Sequence, residues 1–160
     1  MTTETNRYWD LLINDRNGKP TLIVEVKSKI HTSPDWAAGL RYNLLSHGYI
    51  PHVPYFLLAF PDKFYLWTNS QNDLEPRKPD YIIEAHLILQ PYLKQAEISK
   101  NVTKRGITEQ SLELILASWL GEIVYLEKSP QDLDKSEHWL IDSGLYDALI
   151  GGNIEQEAAA

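Results

Sequence analysis

The chain has 160 residues, of which 43% are hydrophobic and 23% charged, the balance of a globular domain able to bury a substantial core. Its lack of cysteine excludes disulfide frameworks, thiolate zinc sites and cysteine nucleophiles. The formal net charge of −7 argues against tight non-specific binding to nucleic acid, which rests on many cationic phosphate contacts.

That charge is unevenly spread. Residues 1–100 carry 11 basic and 11 acidic side chains, whereas residues 101–160 carry 4 and 11, so a DNA-facing surface on the first part stays open. The start, MTTETNRYWD, lacks the basic-then-apolar order of a signal peptide, and no apolar run is long enough to span a bilayer. The default expectation is a cytoplasmic protein with no membrane partner.

In chain order, RYWDLLI (residues 7–13) and TLIVEV (residues 21–26) read as two strands of a hairpin. Asn17-Gly18 between them tolerates the positive φ of a type I′ turn. Asn6 and Pro20 fall outside the paired core of that hairpin. Next, SPDWAAGLRYNLLSHG reads as a helix with Ser33 as N-cap, Pro34 at its first position and Gly48 as its stop. Ala37, Leu40, Leu44 and Leu45 line one face of it. PYFLLAF and KFYLWT, residues 54–60 and 63–68, read as strands joined at Pro61-Asp62, followed by a surface loop over 69–79.

YIIEAHLILQPYL is expected to be helical with a break near Pro91. Residues 108–126 pattern as an amphipathic helix capped by Thr108, and 133–150 as two short helical pieces divided near Ser143-Gly144. The tail NIEQEAAA reads as frayed. The expected fold class is mixed α/β (α+β), a single domain over 1–160 with a sheet core at 7–68 and a helical C-terminal part at 80–150.

The stretch KPTLIVEVKSK sets Glu25 and Lys27 into the most strand-like run of the chain. If Asn17-Gly18 centres the turn, paired residues have numbers summing to 35, placing Asp10 opposite Glu25 and Tyr8 opposite Lys27. An odd-numbered loop would break that register. Directly paired residues share a face, with Cβ atoms roughly 4.5–5.5 Å apart. Two carboxylates so placed repel and call for a cation. Lys27 supplies one, and a divalent metal such as Mg²⁺ would be another. The two readings are a salt-bridge cluster on a solvated face and a site for metal-assisted phosphodiester hydrolysis.

WDLLI, a hairpin and IVEVK together resemble the core of the PD-(D/E)XK nuclease superfamily, whose motif sets an aspartate on one strand and E-x-K on the next. The similarity covers roughly residues 7–68 and is nearest to the nuclease domain of type I restriction motor subunits and stand-alone bacterial relatives. It implies a restriction-endonuclease-like mixed sheet and Mg²⁺-dependent cleavage of DNA, with Mn²⁺ as substitute. Asp10 and Glu25 would be metal ligands and Lys27 the catalytic lysine. The proline that precedes the aspartate in the motif is Trp9 here. Where many relatives carry a glutamine in the following helix, this one offers Arg41, inside the apolar stripe and reaching either for Glu25 as an ion pair or for a phosphate. A catalytically inactive binding or assembly module is the alternative. The short start before Asp10 leaves a sheet edge open, from which a homodimer is expected.

Other features read as structural. The five histidines show no ligand spacing on one element. Tyr55, Phe56, Phe60, Phe64, Tyr65 and Trp67 read as sheet core, and Trp119 and Trp139 as packing residues. Asp132, Asp134, Glu137 and Asp142 read as a solvated acidic face, and Gly151-Gly152 as a helix stop.

Overall fold

The computed structural model describes residues 9–69, 75–95 and 107–156. Asn6 and Tyr8, and with Tyr8 the expected pairing to Lys27, lie outside them. The first two strands, β1 (Leu11–Asn14) and β2 (Pro20–Val26), form the antiparallel hairpin, with Leu11↔Val24, Leu12↔Ile23 and Ile13↔Leu22 in the register that sums to 35. That register is reached by an unexpected route. Asp15 N–H bonds to Lys19 O at 2.8 Å and Gly18 N–H to Asp15 O at 2.9 Å, closing a loop of odd length over Arg16 to Gly18. Only Gly18 takes positive φ there, at 81°, so the turn is not type I′. The odd loop pairs Asn14 with Pro20, and the ladder then skips Thr21, an extra residue on β2. Loop and bulge cancel, and the faces come out as expected.

Helix α1 (Pro34–Ser46) starts at Ser33, whose side chain accepts the Trp36 N–H at 3.1 Å, and Gly48 follows with φ 71°. It crosses from β2 to β3 (Tyr55–Ala59), which pairs parallel with β2; β4 (Lys63–Trp67) then returns antiparallel to β3. The helix expected from Tyr81 is not there: Tyr81–Glu84 is a strand, β5, antiparallel to β4. Along it Ile83 is buried while Ile82 and Glu84 are exposed, so a two-residue period and the free edge of β4 override helical spacing. Only then does helix α2 (Ala85–Gln95) begin, and it continues through Pro91.

Helix α3 (Glu109–Val124) is capped by Thr108 as expected, through its side chain and the Ser111 N–H. Two short 3₁₀ turns, Pro130–Asp132 and Lys135–Glu137, lead to two short helices, Trp139–Asp142 and Leu145–Leu149, divided at Gly144. The tail is not frayed at its start. Asn153–Gln156 forms β6, paired antiparallel with β1 from Leu11↔Gln156 to Asn14↔Asn153. The six strands make one mixed sheet in the order β5-β4-β3-β2-β1-β6, which establishes the mixed α+β class. The outer edge of β1, taken as open in arguing for a homodimer, is occupied by β6.

Strand alternation sends side chains to two cores. Leu11, Ile13, Leu22, Val24 and Val26 pack with α2, α3 and the C-terminal helices on one face. On the other face Ile23, Phe56, Leu58, Tyr65 and Trp67 pack with Ala37 and Ala38 of α1 and with Trp9. Each such side chain, fully buried, contributes about 1.5–3 kcal/mol. No helix among the described residues is long and apolar enough to cross a membrane.

Gly152 admits β6 to the sheet. A Cβ there would lie 1.8 Å from Asn14 O, whereas one at Gly39 in α1 would meet nothing within 4 Å. Gly152→Ala is therefore expected to lower unfolding free energy by roughly 2–4 kcal/mol. Gly39→Ala is expected to raise it by about 0.5–1 kcal/mol through helix propensity. Denaturant melts of the two variants check both signs.

Candidate functional site

β2 lies between β1 and β3 with helices over both faces, so every residue from Thr21 to Val26 is buried. Glu25, on the face of Ile23, is only 6% exposed. The charge is therefore neither on a wet face nor absorbed by the apolar packing around it. Lys27 follows directly, its backbone N–H bonded to Ala59 O at 3.0 Å and its Nζ 3.4 Å from Glu25 Oε1. Its side chain is 41% exposed, so the ammonium joins the buried carboxyl to solvent.

Asp10 stands one residue before β1. The ladder ends at Leu11↔Val24, and Asp10 N–H goes to Val24 O at 3.0 Å, so Asp10 is not the ladder partner of Glu25. Its Oδ2 instead accepts the Val26 N–H at 2.7 Å, which anchors the carboxylate to β2. The two carboxyls nevertheless meet. Burial pushes Glu25 up to about 8; the Asp10 charge and a hydrogen bond with Asp10 push the same way, while Lys27 pulls down and does not prevail. Glu25 Oε2 is buried without a hydrogen-bond partner, which is costly for a carboxylate oxygen. The arrangement sets a buried acid beside a half-buried one, with one lysine and one unused oxygen, suited to holding a proton or a cation.

Arg41 is not brought into this group. It is fully buried, with its guanidinium carbon 5.3 Å from the centroid of the Trp67 ring, and the charges acting on Glu25 are those of Asp10 and Lys27. The apolar stripe on α1 did signal burial at Arg41; what it could not signal is the aromatic face that receives it. Phe56, Phe60, Phe64, Tyr65 and Trp67 are buried sheet core as expected, and Trp119 and Trp139 are buried in helix packing. Trp36, which the sequence did not single out, is 41% exposed.

Glu137 does not belong to a solvated acidic face. It is 8% exposed, takes the Trp119 Nε1–H on Oε2 at 2.9 Å and the Asp134 N–H on Oε1 at 3.1 Å, and closes a capping box. The Asp134-x-x-Glu137 spacing was the available signal. Glu137 borders a cleft of about 510 Å³ between α2, α3 and the 3₁₀ turns, on the sheet face away from Glu25. There Glu122 also accepts the Tyr92 hydroxyl at 2.6 Å, so these two acids already have partners.

Because Glu25 holds its proton more tightly folded than unfolded, the folded state binds more protons between pH 4.5 and about 8. Stability conferred by the neutral form is thus lost as pH rises through that window, at up to about 1.4 kcal/mol per unit. Glu25→Gln is expected to flatten this loss. Its advantage over the parent should grow from near zero at the acid end to on the order of 4 kcal/mol at the alkaline end. Denaturant melts of both proteins across that range measure it; parallel pH profiles would refute the assignment.

The chain matches no protein-family model, no curated protein and no solved structure.

Proposed function

We propose that the protein is a Mg²⁺-dependent endonuclease-like hydrolase acting on DNA phosphodiester bonds, with Asp10 and Glu25 as metal ligands and Lys27 as the catalytic lysine. The observation that carries this reading is the buried Glu25 Oε2, without a hydrogen-bond partner, beside a second carboxylate and a half-exposed lysine. The donor set fits a hard cation: it is all oxygen and offers two carboxylates close together. The described residues contain no cluster of three or more metal-binding side chains, so water and substrate oxygens would complete the coordination. A bound Mg²⁺ would polarise the phosphoryl oxygen and acidify a water.

The chain's own residues have separable tasks. The Val26 N–H fixes the direction of Asp10, so its carboxylate is held ready before ligand arrives. Glu25 must give up its proton to bind a cation, which a pKa near 8 permits close to neutral pH. Lys27, whose side chain is 41% exposed, would present its ammonium to the charge that develops on a phosphate. Glu25, held neutral by burial, favours a second reading in the same place: a catalytically inactive binding module in which a proton and Lys27 are the pair's only counter-charges.

Mn²⁺ distinguishes the two. The nuclease reading expects Mn²⁺ to raise the melting temperature, more at pH 8 than at pH 6 because proton and metal compete for Glu25, and expects Glu25→Gln to abolish the shift. It further expects Lys27→Ala to lower DNA cleavage at least about 100-fold while leaving the Mn²⁺ shift in place. Absence of any shift selects the binding module; cleavage unchanged in Lys27→Ala removes that residue's role.

A further inference from the structure

Beyond Lys27 the chain places an exposed aromatic ring and a second lysine beside the same site. Lys27 N–H is bonded to Ala59 O, and Phe60 is the next residue. Trp36, in the first turn of α1, leans on Phe60 with ring centroids 5.9 Å apart and an interplanar angle of 58°. Lys29 Nζ lies 4.6 Å from the centroid of the Trp36 ring. Lys27, Lys29, Phe60 and Trp36 therefore gather at the end of the sheet where the parallel strands β2 and β3 both terminate, the end at which open α/β sheets receive ligands.

We propose that Trp36 is a base-stacking platform and Lys29 its phosphate contact, so that the site takes single-stranded DNA with one unpaired base laid on the indole. This deepens, and rests on, the reading of Asp10, Glu25 and Lys27 as a phosphodiester site.

Two observations favour this occupant. First, Trp36 is the exposed one of the tryptophans that the structure resolves in or beside this core, since Trp9 and Trp67 are buried; its ring is fixed from one side by Phe60 and open to solvent on another. A held but exposed aromatic ring suits a nucleobase, which stacks without regard to sequence. Second, an ammonium over an exposed ring gains only about 0.5–1 kcal/mol, so a base can displace Lys29, which then meets the adjoining phosphate. A duplex keeps its base faces covered by their own neighbours, which is why the platform selects single strands.

The test is fluorescence anisotropy of a labelled short oligothymidylate in EDTA, where no metal contributes, with the parent, Trp36→Leu, Trp36→Phe and Lys29→Ala. Trp36→Leu keeps apolar bulk on Phe60, so folding is preserved. It is expected to weaken binding at least about fivefold, as loss of one stacked base does, and Trp36→Phe to restore most of it. Lys29→Ala should reduce the salt dependence of binding by about one phosphate contact. Equal affinity of parent and Trp36→Leu, no binding by the parent, or equal affinity for single strand and duplex would each overturn the proposal. The Mn²⁺ thermal shift of the same proteins is read separately. If the parent shows no shift but Trp36-dependent binding persists, the metal reading falls and the platform stands. If the shift is present while Trp36→Leu binds normally, the platform alone falls.

Discussion

Glu25 is buried on the central strand of a sheet covered on both faces, and most of what is distinctive in this molecule follows from that single constraint. A carboxyl without water must be neutral, paired or bound to a cation. Here Asp10 makes the charged form harder to hold, Lys27 makes it easier, and one oxygen is left over. The Val26 N–H fixes Asp10 to the strand that carries Glu25, so the two acids cannot move apart by a shift of β1 alone. The hairpin thus stores an electrostatic demand that a proton answers at low pH and that a divalent cation is proposed to answer in function.

The rest of the fold maintains that demand. α1 excludes water from the Glu25 face, with Arg41 and Trp67 filling the space beneath the helix. On the reverse face α3 seals Leu22, Val24 and Val26, and the Tyr92–Glu122 and Trp119–Glu137 bonds tie the helical layer together. On that reverse face Glu122 and Glu137 have partners, Tyr92 and Trp119, although the Trp139 Nε1–H is left without one; Glu25 Oε2 has none. The contrast between the acids separates a structural polar network from a site with unfilled capacity.

Much of this was legible because strand alternation and helix caps are local. β1, β2, α1, β3, β4 and α3 stand where apolar spacing and Ser33, Thr108 and Gly48 put them. The nearness of Asp10 to Glu25 was readable but not its form: the ladder ends at Leu11↔Val24, so they are not the direct pair expected, and the sum-to-35 register arises from an odd loop and a bulge at Thr21 that compensate each other. What escaped was set by distant partners. Tyr81–Glu84 carries apolar residues compatible with either period and becomes a strand because β4 offers an edge. Asn153–Gln156 is nearly featureless alone and becomes one because β1 does. Arg41 shows its burial in sequence but not its destination, and Glu137 shows a capping spacing that its acidic surroundings obscure.

The pairing of β6 with β1 is highly non-local; Asn14 and Glu155 are 141 positions apart yet share a 2.9 Å hydrogen bond. During synthesis the β1–β2 hairpin, with its two acids, leaves the ribosome long before β6 exists. Until then β1 presents a bare row of backbone donors and acceptors, a surface open to pairing with other chains. Closure of so non-local a contact belongs late in folding, since the entropy of ordering the intervening chain must first be offset. β6 therefore acts as a late latch on the hairpin, and the interval before it engages is when a nascent chain is most exposed to misassembly.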